Sequence, residues 1–348
     1  MPQLFIIDEW SEQIWWNTGG TRDKKIYLNP NDGKLYYFKQ SYQKGLKDYK
    51  YEFWSEIIAY EIGTQLGFDV LPYHAAKRGD VLGCISKSMI KPDEQLTEGG
   101  KYLQAYDPDF NPETTSERFK YDFQLIVGSL DFFQLKKYLP KIIDMIVFDA
   151  MVGNSDRHQE NWAVITRTTQ LNKTIDKIEG EGLGDTVLGK VFKKIFGKEK
   201  TASKSIEELR LFFSQDTSLA PIYDSGCCFG RELTDDRVNQ ILANREQLES
   251  YVDRGKAEIH WTGEKISHFQ LLEHLLASEE FRKHTQNSIS KVIDKFDSSE
   301  IKRIVFEIDD VMESSGLGRH LPTERKELIW ELLALRYQKI RDIHLKYQ

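Results

Sequence analysis

The pattern of apolar and polar positions divides the chain into a strand-rich first part and a helix-rich remainder. KIYLN (25–29) and LYYFKQ (35–40) are short β-rich runs on either side of PNDG, an arrangement that predicts a hairpin. EFWSEIIAYEIGTQLG (52–67) places apolar residues at 53, 54, 57, 58, 62 and 66, the period of a helix, and Gly67 stops it. VLGCISKSMI (81–90) reads as a further strand and KPDEQLTEGG (91–100) as a loop. YLPKIIDMIVFDAMVG (138–153) is largely apolar, the mark of a helix buried within a lobe, and ends at Gly153. NWAVITRT (161–168) is strand-like, and LAPIYDSGCCFGREL (219–233) reads as a strand running into a glycine-containing loop. The chain closes on an amphipathic helix that starts at Pro322–Thr323.

Composition narrows the class. The chain has 348 residues, 40% hydrophobic and 30% charged, enough for a sizeable core and two lobes. A net charge of −7 argues against nucleic acid as a partner. Cys84, Cys227 and Cys228 form neither a zinc spacing nor an even disulfide framework, which points to a reducing, cytoplasmic setting. The opening MPQLFIIDEWSEQIWW has no basic segment and carries acids within its apolar stretch, so no signal peptide is expected. No tract approaches the length of a membrane span.

Polar chemistry concentrates in MVGNSDRHQENWAVI (151–165), where Asn154, Asp156, His158 and Asn161 fall within eight positions between two buried elements. Such a loop either satisfies its own backbone or holds something charged. Phosphoryl transfer from ATP requires a loop over the phosphates, a lysine on their oxygens, oxygen ligands for Mg²⁺ and a carboxylate near the attacking hydroxyl. The chain offers each in order. Gly19 and Gly20, flanked by Thr18 and Thr21, can bring backbone N–H groups to phosphates. Lys39 follows an apolar strand, Asp156 can face a hydroxyl, and Asn161 and Asp224 supply hard oxygens to Mg²⁺. His158 braces the loop, and Gly226 frees the backbone beside Asp224.

GNSDRHQENW together with APIYDSGCCFGREL resembles the HipA-like serine/threonine protein kinases, whose pattern is N-x-D-x-H-x-x-N followed by Y-D-x-G. The DRHxxNW variant is similar to the short, stand-alone, cell-translocating members. The resemblance implies an α+β, bilobal protein-kinase-like fold: a β-rich N-lobe over 1–95 with one main helix, and a helical C-lobe over 96–348. It implies that Asp156 is the catalytic aspartate, with His158 in the same loop, and that Asn161 and Asp224 hold Mg²⁺. ATP would lie on Thr18–Thr21 and Lys39. By family position the lysine's helix partner is Glu56, whereas a helical wheel centred on the apolar residues favours Glu61. A Ser/Thr-bearing protein is the implied substrate, with an antitoxin-like or host partner, and secretion as an effector without a cleavable signal peptide stays open. Self-phosphorylation is expected at Thr18 or Thr21.

Compared with the toxin-type members, the stretch before the glycine turn at 19–20 is too short for their extra N-terminal subdomain, so a departure from those members is expected. The 68 residues from Asp156 to Asp224 (224 − 156) exceed the usual connection, so an insertion is expected near 168–212. Within it, DTVLGKVFKKIFGKEK (185–200) reads as a basic amphipathic helix that either packs its apolar stripe on the second lobe or docks on an acidic partner, a substrate or, weakly, an anionic membrane surface. Two other readings stay open: a phosphoinositide-type lipid kinase, which shares the DRHxxN loop, and a nucleotide-binding pseudokinase serving as an interaction module.

Overall fold

The computed structural model describes residues 1–14, 24–41, 43–44, 47–111, 119–167, 216–318 and 320–348. The fold is α+β and bilobal, with a sheet first and helices after it. Strands β1 (Leu4–Ile6), β2 (Ser11–Glu12), β3 (Lys24–Leu28) and β4 (Leu35–Gln40) precede a two-stranded ladder of β5 (Gln43–Lys44) and β6 (Lys47–Asp48). Helix α1 (Glu52–Leu66) follows, then β7 (His74–Arg78) and β8 (Val81–Lys87). The main sheet runs β1-β7-β8-β4-β3-β2. The β3–β4 hairpin closes through Asn29 and a left-handed Gly33, whose amide donates to the Asn29 carbonyl at 2.9 Å.

The two faces of this sheet bury different things. Ile7, Trp10, Tyr27, Tyr36, Phe38 and Ile85 form a small cluster of their own. Cys84, opposite Lys39 in the β4–β8 register, joins the large core together with α1. Helix α1 packs on β8 and β4 and also on helices Glu279–Lys295 and Ser298–Glu307. It is therefore buried on more than one side, with Glu52, Ser55 and Glu56 inside alongside Trp54, Ile57 and Ile58. Gly67 ends it in a left-handed conformation, φ 79°, where a side chain would be strained.

KPDEQLTEGG is not all loop. Glu94–Glu98 forms β9, which pairs antiparallel with β10 (Ala163–Arg167), and β10 pairs in turn with β11 (Thr217–Leu219). Cross-strand hydrogen bonds recruit this polar segment in spite of its poor apolar pattern. The strand expected over the start of LAPIYDSG ends at Leu219. Beyond it the chain runs extended, fixed by Leu71 N–H to the Ile222 carbonyl (2.8 Å) and Ile222 N–H to the Asp69 carbonyl (2.7 Å).

The helical lobe starts with α2 (Gly99–Tyr106) and α3 (Phe123–Phe132), the latter capped by the Asp122 carboxylate on Leu125 N–H at 2.8 Å. At its centre lies α4 (Leu139–Val152), packed against helices His268–Ala277, Glu279–Lys295 and Thr323–Lys346. Eleven of its residues are buried, including Asp149, as its nearly uniform apolar sequence requires. Truncating a fully buried side chain such as Ile143 or Phe148 would cost about 2–5 kcal/mol. Among the described residues no helix is long and apolar enough to cross a membrane.

Candidate active site

Helix α4 ends at Gly153, left-handed at φ 73°, and the polar loop begins there. A buried guanidinium organises it. Arg157 is 1% exposed and grips the Asp149 carboxylate with two hydrogen bonds of 2.9 Å, Nε to Oδ2 and Nη2 to Oδ1. Burial opposes the charge on Arg157, but the Asp149 carboxylate beside it outweighs that and holds the group above its ordinary value. The same guanidinium donates to the Asn161 carbonyl (2.9 Å), the Tyr223 carbonyl and Ser225 Oγ (3.1 Å). It thus fixes the loop from inside and holds both neighbours of Asp224. Asn154 adds to the brace, donating to Asp149 Oδ1 at 3.0 Å and accepting from Asp156 N–H at 3.3 Å.

Asp156 and Asn161 meet through the Asn161 amide, which donates to the Asp156 carbonyl at 2.7 Å. With that N–H committed, the amide oxygen is the end of Asn161 suited to a cation. His158 accepts Glu160 N–H at 3.3 Å, a local turn contact. The outer rim of the loop is stapled by Tyr121 Oη to the Arg157 carbonyl (3.0 Å) and by Gly99 N–H to the Trp162 carbonyl (2.8 Å). Gly99 is required there, since a Cβ would lie 2.0 Å from the Trp162 ring.

Lys39, Glu56 and Asp224 converge. Lys39, 5% exposed on β4, is ion-paired with Glu56 Oε1 and reaches Asp224 Oδ1 at 2.7 Å. Glu56 also accepts Ser225 N–H at 2.8 Å, tying α1 to the residue after Asp224. Burial pushes the Glu56 carboxyl above its ordinary value, with Lys39 pulling the other way. Glu61 lies elsewhere and pairs with the amino terminus at 3.1 Å. The apolar wheel pointed to Glu61 because it assumes one buried face, and α1 has more than one. Gly226 provides room and is not left-handed: a Cβ on it would lie 2.9 Å from Glu56 Oε1. The left-handed residue is Asp224 itself, at φ 53°.

The two groups are joined by the residues after Asp224. Ser155 N–H donates to the Cys227 carbonyl at 3.3 Å, and Cys227 Sγ lies 3.1 Å from Asp156 Oδ2. Arg231 donates to that sulfur at 2.9 Å and pairs with Glu52 Oε1 of α1 at 3.2 Å. A line of polar contacts therefore runs from α1 to the Asp156 carboxylate. Asp224 has a further neighbour that sequence reasoning missed, Lys24, whose Nζ is 3.0 Å from Oδ2.

Thr18, Gly19, Gly20 and Thr21, the insertion expected near 168–212 and the basic stretch 185–200 lie outside the described residues. Among the described residues no group of three or more His, Cys, Asp or Glu is arranged for a metal ion. Among the described residues, Asp224, already drawing two ammonium groups, and the Asn161 amide oxygen are a small set of oxygen donors for a cation. Mg²⁺ suits so sparse a set, because it keeps waters and phosphate oxygens in its shell.

No family model matches the chain, and no curated protein matches it. Among solved structures it is similar to the crystal structure of a Helicobacter pylori proinflammatory kinase, CtkA. That match has a TM-score of 0.72 and 16% identity over 99% of this chain and 97% of the other. It shows the fold. A second match is to HipA of Shewanella oneidensis MR-1, in a toxin–antitoxin complex with HipB and operator DNA. Its TM-score is 0.38 at 9% identity, over 88% of this chain and 57% of that one, too distant a likeness to carry an argument.

Proposed function

We propose that the chain is a HipA-like protein kinase that transfers the γ-phosphoryl group of Mg·ATP to a serine or threonine hydroxyl of a protein. The observation that carries this reading is the convergence of Lys39 on Glu56 and Asp224, next to a braced loop presenting Asp156 and Asn161. In this reading Lys39, oriented by Glu56, binds phosphate oxygens. Asp156 orients the acceptor hydroxyl and takes its proton as the oxygen attacks the γ-phosphorus. The bond to the bridging oxygen breaks and ADP leaves with its electron pair. Asn161 and Asp224 would hold Mg²⁺, which when bound neutralises charge on the transferring phosphates. Because catalysis here is mostly electrostatic and positional, losing one such group should cost at least about a hundredfold.

Transfer of labelled γ-phosphate from ATP, to generic protein acceptors and to the chain itself, tests the reading. The expected result is transfer by the wild type and near-complete loss in Asp156→Asn and Asp224→Asn, with Thr18 or Thr21 modified in the wild type. Undiminished transfer in both variants would refute the assignment. Thr18 and Thr21 both unmodified would refute the self-phosphorylation sites alone.

A further inference from the structure

The β3–β4 hairpin sets two lysines face to face. Its register pairs Lys24 directly with Lys39, so both side chains rise from the same side of the sheet. Directly opposed like charges destabilise a pair of strands. Here both ammonium groups turn to one carboxylate, Lys39 to Asp224 Oδ1 at 2.7 Å and Lys24 to Oδ2 at 3.0 Å. They differ in depth. The Lys39 side chain is 6% exposed and also held by Glu56, whereas that of Lys24 is 26% exposed.

The consequence rests on the kinase reading above. If Asp224 turns its oxygens to a divalent cation, Lys39 retains Glu56, while Lys24 gives up its contact with Asp224 and still faces a like charge across the hairpin. The polyphosphate that arrives with the metal brings further anionic oxygens to that point. A lysine on a four-carbon stem can swing between the two, as a compact and mobile charge. We propose that Lys24 is a second phosphate-anchoring lysine, which rests on Asp224 in the nucleotide-free protein and transfers to the terminal phosphates of bound nucleotide.

Calorimetric titration of the full chain with ATP, ADP and AMP in the presence of Mg²⁺ tests this, using wild type, Lys24→Ala, Lys24→Arg and Lys39→Ala. A charge-assisted contact to phosphate implies that Lys24→Ala weakens ATP binding about ten- to a hundredfold. AMP binding should stay within about twofold, and Lys24→Arg should recover most of the loss. The thermal midpoint of nucleotide-free Lys24→Ala should stay close to wild type, since a partly exposed pair contributes only about 0–1 kcal/mol. ATP affinity unchanged or tighter in Lys24→Ala, with Lys39→Ala impaired, would overturn the proposal and leave the kinase reading intact. No ATP binding by the wild type would overturn both.

Discussion

The brace behind the loop and the charge cluster in front of it use the same materials, cations on carboxylates, and differ in how the cations are held. Arg157 meets Asp149 through two parallel hydrogen bonds and spends its other N–H groups on carbonyls and a hydroxyl. Every contact is planar and directional, so the guanidinium has one arrangement. Lys39 and Lys24 are point charges, and two of them share Asp224. Point charges impose no such geometry, so under the proposed function this cluster can rearrange when a charged ligand enters. Directional guanidinium contacts lie on one side of Asp224 and point-charge contacts on the other.

Breaking the brace should have the largest effect. Arg157→Ala or Asp149→Ala leaves a buried charge alone and should cost about 3–5 kcal/mol, read as a fall in the denaturant midpoint or as loss of folded protein. Asp224→Asn should leave stability nearly unchanged by the same measurement, because Lys39 keeps Glu56 and Lys24 can reach water. Similar losses in Arg157→Ala and Asp224→Asn would erase the distinction. Next comes backbone strain at Asp224. Asn tolerates its left-handed conformation, so Asp224→Ala should be about 1–2 kcal/mol less stable than Asp224→Asn.

A smaller effect is expected at Cys227, whose thiol donates to Asp156. Cys227→Ala should lower kcat about two- to tenfold with KM little changed, and Cys227→Ser should restore most of it. Equal rates in all three proteins would show that the sulfur does not position the carboxylate.

The smallest concerns pH, and it extends the comparison to a second buried guanidinium. Arg336 donates to the Ala150 carbonyl near the C-terminal end of α4 at 2.9 Å, and burial lowers it to about 10. His268, also buried, is held well below its ordinary 6.5, by burial first and then by the Arg336 and Lys265 charges. A lowered histidine takes up its proton more readily when unfolded. Stability attributable to His268 is therefore intact above about 6.5 and is lost progressively as pH falls below it. Chemical denaturation from pH 7.5 to 5.5 should show a shallower decline in His268→Gln than in wild type. Parallel curves would contradict it.

The sequence made the elements legible wherever hydrophobic period and stop signals agreed, as in α1 with Gly67 and α4 with Gly153. It failed at β9, because EQLTE carries little apolar signal and is recruited by pairing with β10. Lys39, Glu56 and Asp224 are 185 positions apart at the extremes, and their meeting could be anticipated only through family resemblance. Nothing in the loop's own pattern singles out Arg157. The signal lay in Asp149, a carboxylate inside the apolar run of α4 that must find a cation when buried. Lys24 was legible in principle, since the hairpin turn fixes its register opposite Lys39.

The most direct test of the account is calorimetric ATP binding by wild type and Asp224→Asn, each with and without Mg²⁺. The expected result is tighter binding on adding Mg²⁺ in the wild type and loss of most of that gain in Asp224→Asn, with the thermal midpoint of the variant close to wild type. An equal Mg²⁺-dependent gain in both proteins would contradict the assignment of this cleft as the phosphate and metal site.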